Sequence, residues 1–380
     1  MDIAIFLPSS LRSYGGGEIG LIKISKGLDN SGFKNTIYEN ESFAGPFRVD
    51  DSFLNGIGAK YQRVKFRQLG KFGQLFFHPM PLKESLDEHS INMVMLWRLP
   101  SRGQMKEINS SDSKKIFLLH GIGLEKLRMS HPIILAYQIY MRLQLFMIKR
   151  LLVEGRNFFQ VMNTFQQRML VKAGIPPERI FLIETGVETE SYNIGKNNSH
   201  FNVLFIGRIE NLQKGIKRLI RVAKYVKRKN DNISFTVMGS GRYSSRLMDV
   251  TYLDYLEFVS EESKNSELSN SNLLLLTSNA EPFGLAVLEA LFAGLPVVST
   301  PVAGPSDILS RSKDSGRISG FSSRKICEDI LDYYDQWKLN PDDFFERKTM
   351  RSSMAKRMFS TKISAEKYAE MITRVMAYRL

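Results

Sequence analysis

Two carboxylates, Glu281 and Glu289, stand eight residues apart in the stretch EPFGLAVLEALFAGLPVV. An apolar strand, LLLLT, ends just before the first, so Glu281 falls in the loop at that strand's carboxyl end. A helix is expected to start near Phe283 or Gly284. That leaves the amides of Gly284 and Leu285 without intrahelical partners and lets a ligand approach bare backbone. Glu289, two turns on, would lie roughly 12 Å from Glu281 if everything between were helical. A carboxylate accepts from both hydroxyls of a vicinal pair. The spacing therefore suits a hexose, a diphosphate and a ribose in line, one acid on the hexose and the other on the ribose. Capping by Glu281 and a solvated Glu289 are the plain alternative. Against it, Glu289 sits among Leu288, Ala290, Leu291 and Ala293, where an acid without a partner is costly.

Cations stand ready for the middle of such a ligand. Strand NVLFI ends in Gly207-Arg208, and Lys214-Gly215 follows six residues on. Gly207 permits a tight turn, and Arg208 and Lys214 bring a guanidinium and an ammonium to the strand end beside a helix start. That combination fits a diphosphate that no metal bridges. Near the start of the chain Gly15, Gly17 and Gly20 match G-x-G-x-x-G, with Glu39 or Glu41 where a ribose-binding acid would fall. A dinucleotide turn follows its strand at once, whereas Pro8 to Gly15 intervene here. Amides at a helix N-terminus facing an anion fit the spacing better. No dinucleotide is assigned to this region, and an NAD-linked oxidoreductase stays a minor alternative.

The positioning elements repeat as strand, glycine loop, helix, strand. Asp2 to Leu7 and Lys34 to Tyr38 are strands around a helix from Ile19 to Leu28. Asn92 to Trp97, Lys115 to Leu119 and Phe158 to Met162 continue the series. A second series runs through Asn202 to Ile206, Ser234 to Met238, Leu273 to Thr277 and Pro296 to Ser299. Fully apolar strands alternating with helices imply parallel sheets covered on both faces. The expected fold is α/β, with two doubly wound Rossmann-like domains facing across a cleft. The boundary is placed in the polar run YNIGKNNSH, giving domains 1–192 and 193–362. The last amphipathic stretch, Ser364 to Tyr378, has no strand after it, and segment 363–380 is expected to return to the first domain. Ligands in such folds bind beyond the strands' carboxyl ends.

Length and charge bound the remaining options. A chain of 380 residues favours two domains. Hydrophobic content of 43% and charged content of 24% are ordinary for a globular protein. No secretory leader is expected, since Asp2 occupies the place of a basic n-region. Cys327 stands alone, which rules out an internal disulfide and suits a reducing cytosol. Pro132 to Val153 is the most apolar long stretch, but Gln138, Arg142, Gln144, Lys149 and Arg150 interrupt it, so an amphipathic helix is expected rather than a span. The net charge of +14 points to an anionic partner. Lys60 to Lys71 holds five basic residues with Tyr61 and Phe66 interleaved, and Lys214 to Lys229 holds eight. The second run reads mainly as a solvated helix face, with Ile216, Leu219, Ile220, Ala223 and Val226 as its apolar stripe. No zinc-finger, helix-turn-helix or RNA-binding signature accompanies the charge, and no nucleic-acid partner is assigned.

Taken together, Glu281 to Gly294 resembles the E-x7-E signature of the retaining, family 4 type glycosyltransferases of GT-B fold. The resemblance extends along the chain: GGGE at Gly15, LLHG at Leu118, QQRMLVKAGIPPERIFLIETGVE, GRIENLQKG, VMGSG, GLPVVSTPVAGPSDIL and FSTKISAEKYAEMI. It implies Arg208 and Lys214 on a donor diphosphate, Glu289 on the ribose, and Glu281 with the Phe283-Gly284-Leu285 backbone on the transferred sugar. It places His120 toward the anomeric region and Gly16 and Gly17 toward the phosphates or the acceptor. Tyr255 is a candidate for contact with the base. No metal or other cofactor is expected, and the mechanism implied is front-face transfer with retention. Two positions depart from the pattern: Thr185-Gly186 replaces an Asn-Gly, and Asp254 stands where a glycine is common. The aromatic-basic run and the helix from Pro132 suit a cytoplasmic enzyme, peripheral on the inner membrane face, that extends a lipid-linked or lipopolysaccharide glycan. Transfer to a soluble acceptor, or sugar binding without catalysis, are the alternatives.

Overall fold

A computed structural model describes residues 2–11, 16–40, 60–67, 79–121, 131–189, 192–195, 199–257 and 260–378. The chain divides into two compact units. The first takes Met1–Glu125, Ala136–Gly186 and Thr361–Leu380; the second takes Val187–Ser360 with Lys126–Leu135.

The first unit is built on a seven-stranded sheet in the order β3-β2-β1-β6-β7-β8-β9. Its strands are β1 (Asp2–Leu7), β2 (Lys34–Asn40), β3 (Tyr61–Val64), β6 (Ile91–Leu96), β7 (Lys114–Leu119), β8 (Asn157–Val161) and β9 (Ile180–Leu182). Every pairing in it is parallel. Two short segments, β4 (Phe66–Arg67) and β5 (Met80–Pro81), pair antiparallel beside it. The central strands are apolar on both faces because helices cover both: β6 is buried at every position. Those helices are α1 (Gly16–Asn30), α2 (Lys83–Asp87), α3 (Arg102–Asn109), α4 (Pro132–Glu154) and α5 (Thr164–Lys172). Two of their starts are set by side chains. Ser101 and Gln104 form a reciprocal capping box on α3, and Asn163 accepts from the Gln166 amide at the start of α5.

The second unit holds a six-stranded parallel sheet in the order β12-β11-β10-β13-β14-β15. Its strands are β10 (Phe201–Ile206), β11 (Ile233–Met238), β12 (Asp254–Leu256), β13 (Leu273–Leu276), β14 (Val297–Ser299) and β15 (Gly316–Ile318). Between and after them run α6 (Ile216–Lys229), α7 (Ser244–Met248), α8 (Glu261–Asn270), α9 (Leu285–Phe292), α10 (Ala303–Leu309), α11 (Ser323–Leu339) and α12 (Pro341–Phe359). On α6 the buried stripe is Ile216, Leu219, Val222, Ala223 and Val226. Val222 thus takes the buried place expected of Ile220, which is only half-buried. Lys217, Arg221, Lys224 and Arg228 face solvent, so most of that basic run is a solvated helix face.

The units divide at 186/187 rather than at 192/193, and at 360/361 rather than 362/363. The cause is local. The Val187 amide donates to the Phe359 carbonyl at 2.9 Å, five residues before the polar run begins, and Tyr192, the first residue of that run, reaches Glu289 at 3.0 Å.

The last helix, α13 (Thr361–Ala377), belongs to the first unit and packs on α1. The crossing is close: a Cβ added at Gly27 would lie 2.8 Å from the Ala365 Cβ. At its far end Lys114 Nζ donates to the carbonyls of Val375, Met376 and Tyr378 at 2.7, 2.8 and 2.9 Å, a cation satisfying the acceptors a helix leaves open. Lys367 pairs with Glu184 at 2.8 Å. Gly27→Val is therefore expected to overpack this crossing and cost about 1–3 kcal/mol. Ala365→Gly in the same chain should recover part of that loss. Thermal unfolding of the two variants measures this, and an unchanged midpoint for Gly27→Val would show that the crossing is loose.

Candidate functional site

At the carboxyl edge of the second unit's sheet, the chain leaves β13 through Thr277, Ser278 and Asn279 to Glu281. This loop is tied on both sides. Thr277 Oγ1 donates to the Lys214 carbonyl at 3.0 Å, and Asn279 Nδ2 to the carbonyls of Asn211 and Leu212 at 3.1 and 3.0 Å. Thr300 Oγ1 donates to the Ser278 carbonyl at 2.6 Å, and the Gly304 amide to the Glu281 carbonyl at 3.0 Å. Two glycines permit the close approach. A Cβ at Gly215, whose φ is +69°, would lie 2.2 Å from the Thr277 carbonyl oxygen, and one at Gly304 would lie 2.0 Å from that of Phe283. No larger residue fits either place.

The stitching brings Lys214 onto Glu281. Their ion pair runs from Nζ to Oε2, with side chains only 15% and 10% exposed. No group among the described residues reaches Glu281 Oε1. Gly284, at φ +100°, is the N-cap of α9, so the helix begins at Leu285, one or two residues later than expected. Phe283 is buried, and Leu285 and Ala286 are half-buried; their amides have no recorded partner among the described residues. Arg208 behaves differently from Lys214. It is exposed and donates to Gln213 Oε1 at 2.7 Å, while Glu210 holds the backbone amides of Gln213 and Lys214 at 3.0 and 3.1 Å. The two cations share an edge of the sheet but no partner.

Glu289 is buried on α9, and its partners were not visible in the sequence. Tyr192 Oη donates to Oε1 at 3.0 Å, and Lys264 Nζ, from α8, donates to the same oxygen at 2.9 Å. Lys264 also reaches Glu261 Oε2 at 2.7 Å. Burial alone would lower this ammonium, yet Glu289 and Glu261 together hold it above its usual range. Burial first, and the Glu289 charge second, push the Tyr192 phenol up, so it stays a donor. The requirement for a partner was legible from Glu289's apolar neighbours. The identity of that partner was not, because α8 is polar at every position but the buried Leu268, which leaves nothing to single Lys264 out. Tyr255 is tied elsewhere: its hydroxyl bonds the Gly239 carbonyl at 2.8 Å and Ser244 Oγ at 2.7 Å, leaving the ring for any further contact.

In the first unit, Gly16 and Gly17 open α1, while Gly15 lies outside the described residues. Of the two acids the dinucleotide alternative could use for a ribose, Glu41 lies outside the described residues, and Glu39 accepts from Ser10 Oγ, the Leu11 amide and Arg63 Nε at 3.0, 2.7 and 3.1 Å. It is committed to the fold. His120 follows β7 and is buried. Gln160 donates through Nε2 to the Ile183 carbonyl at 2.6 Å, which turns its Oε1 to His120 Nε2 at 3.2 Å. The histidine therefore carries its proton on Nε2 and presents Nδ1 as a lone pair, which has no partner among the described residues. Burial pushes its pKa down to about 4, against the Gln160 bond, so it is neutral near pH 7.

Comparison with known proteins places part of the chain beside a known family. Residues 187–342 match the family model described as Glycosyl transferases group 1. The 2-deoxystreptamine N-acetyl-D-glucosaminyltransferase of Niallia circulans is 33% identical over 132 residues, 32% of this chain and 34% of that protein. The chain spans about a third of the length of the first curated relatives it matches. Anabaena Alr3699/HepE, solved in complex with UDP and glucose, superposes with a TM-score of 0.71 at 16% identity, over 98% of this chain and 99% of that one. The apo form of the lipopolysaccharide outer core galactosyltransferase WaaB gives 0.67 at 15% identity, over 98% and 99%. At such identities the likeness shows the fold, which is GT-B.

The buried neutral histidine has a consequence for stability. An unfolded histidine titrates near 6.5 and this one near 4, so the unfolded chain takes the proton first. The group's contribution is full above about pH 6.5 and is lost as pH falls toward 4, at up to about 1.4 kcal/mol per unit. His120→Asn should show a shallower fall in denaturant midpoint than the unchanged chain between pH 6.5 and 4.5. Parallel curves would mean that the imidazole is not held neutral.

Proposed function

We propose that this chain, whose residues 187–342 match the model of glycosyl transferases group 1, transfers a hexose-type sugar from a nucleoside diphosphate sugar to a hydroxyl of a glycan or lipid-linked acceptor. One observation carries the proposal. Glu281 and Glu289 are each anchored by a lysine through one oxygen, leave the other oxygen open, and flank the open first turn of α9. Open carboxylate oxygens accept from sugar hydroxyls, and open helix amides donate to phosphate.

The roles proposed for the individual residues are those the family resemblance implies. Glu281 and the Phe283-Gly284-Leu285 backbone hold the transferred sugar, Glu289 the ribose, and the Tyr255 ring lies toward the base. Lys214 and Arg208 hold the diphosphate, supplying the positive charge needed as it leaves, without a metal. Lys214 is engaged with Glu281 before the donor arrives, so a phosphate oxygen would draw the ammonium away and release the acid for the sugar. In the first unit, Gly16 and Gly17 are assigned to the phosphates or the acceptor. The His120 Nδ1 lone pair is assigned to a sugar hydroxyl near the anomeric carbon. Transfer proceeds with retention. The bond from the anomeric carbon to the diphosphate oxygen breaks, the acceptor oxygen bonds to the same face, and the acceptor's proton passes to the departing diphosphate. The chain's contribution is positioning and stabilisation of developing negative charge.

A membrane-bound acceptor is the favoured class. On α4 the residues Ile139, Leu143, Phe146 and Met147 are 46–67% exposed at helical spacing. Lys149, 4.4 Å above the Phe146 ring, and Arg150 close the stripe. Among the described residues no helix is long and apolar enough to cross a membrane. A helix with that face and those cations suits the interface of an anionic bilayer, on the cytoplasmic side. WaaB, a lipopolysaccharide galactosyltransferase by name, has this fold.

Two measurements test the proposal. Screening UDP-, GDP- and ADP-sugars should find one that is turned over, and Glu281→Gln should lower kcat/KM for it at least ~100-fold, about 2.7 kcal/mol in the transition state. Turnover that survives the substitution would remove Glu281 from the site. Flotation with vesicles containing phosphatidylserine should carry the chain, and Phe146→Glu with Leu143→Glu should abolish it. Equal, negligible flotation of both chains would favour a soluble acceptor.

A further inference from the structure

The Glu289 carboxylate is held by one oxygen only. Tyr192 and Lys264 both donate to Oε1, at 3.0 and 2.9 Å, and no group among the described residues reaches Oε2. The side chain keeps 11% of its surface exposed, so this oxygen has a way out. A pairing that served only to neutralise a buried acid would engage both oxygens, because a buried acceptor left open is costly. Lys264 is also unfilled. An ammonium has three protons, and the recorded bonds to Glu289 and to Glu261 Oε2 account for two of them.

We propose that Lys264 and Tyr192 are positioning residues for the nucleoside ribose. They fix Glu289 so that Oε2 accepts from one ribose hydroxyl, while the remaining Lys264 proton is donated to the oxygen of the neighbouring hydroxyl. The inference rests on the assignment of Glu289 to the ribose. A carboxylate alone can only accept; acid and ammonium together accept from one hydroxyl and donate to the other, and so read the vicinal pair as a pair. The neighbouring charges are consistent with this. Glu261 balances Lys264 from the same helix, and Lys356, from α12, approaches the Tyr192 carbonyl at 3.4 Å, leaving Glu289 to the two donors named.

Equilibrium binding by the full chain tests it. UDP, GDP and ADP are titrated first, and the one that binds is compared with its 2′-deoxy counterpart. The expected result is a preference of tenfold or more for the ribose form. Lys264→Met should weaken the ribose form at least tenfold and the deoxy form much less, shrinking the preference at least threefold. Lys264→Arg should restore part of the preference. Tyr192→Phe keeps the ring, which packs edge-on against Phe292 at 6.1 Å, and should shift the preference the same way by a smaller factor. It decides the matter if Lys264→Met does not fold. In turnover, the donor KM should rise with kcat little changed. Equal weakening of both forms would mean structural support only and would overturn the inference while leaving the ribose site standing. Binding of the chosen nucleotide undiminished in Glu289→Gln would overturn the ribose assignment beneath it, and no binding of any of the three would overturn the proposed function itself.

Discussion

Keeping a carboxylate charged inside an apolar wall requires a cation held close to it, and the second unit meets this requirement twice at one edge of its sheet. Lys214 answers Glu281 and Lys264 answers Glu289. Glu289 lies on a helix that is otherwise wholly apolar and Glu281 in a buried loop, and each would be strongly disfavoured there alone. Hydrophobic residues of similar size would pack at least as well, so the pairs are poor stabilisers.

The backbone is shaped around these charges. Lys214 meets Glu281 because the loop after β10 runs against the loop after β13, with Gly215 set against the Thr277 carbonyl. Arg218 closes the seam behind them, donating to the carbonyls of Thr277 and Phe321 and to Asn279 Oδ1 at 2.6, 3.1 and 2.9 Å. Burial pulls that guanidinium down to about 10, still fully charged near pH 7. The loops are therefore preorganised by bonds to their carbonyls, which leaves the carboxylates and helix amides to meet a ligand.

Much of this was legible in the sequence, for a definite physical reason. Central strands of a covered parallel sheet are continuous apolar runs, so β1, β6, β7, β8, β10, β11, β13 and β14 stand out within a residue or two at each end. The strands that do not stand out, β3, β9, β12 and β15, are the edge strands of the two sheets, three or four residues each, and only β9 is wholly apolar. They are short and half-exposed, and an edge strand carries less of the core. Glu281, Glu289 and Lys214 were marked by their spacing from strand ends. Tyr192 and Lys264 were not, since their significance comes from contacts with Glu289 across 97 and 25 residues.

Helix α13 is the last piece of the first unit, and Tyr368, its largest fully buried side chain, sits in a core with Ile3, Ile5 and Leu28. During synthesis, residues 1–186 must wait through the whole of the second unit before that helix emerges to cover them. The second unit can close behind them, since apart from Lys126–Leu135, made earlier, it is the stretch from Val187 to Ser360. The order of completion is thus reversed relative to the order of translation: the half made first finishes last, and its apolar flank along α1 is exposed to chaperones or to aggregation in the interval.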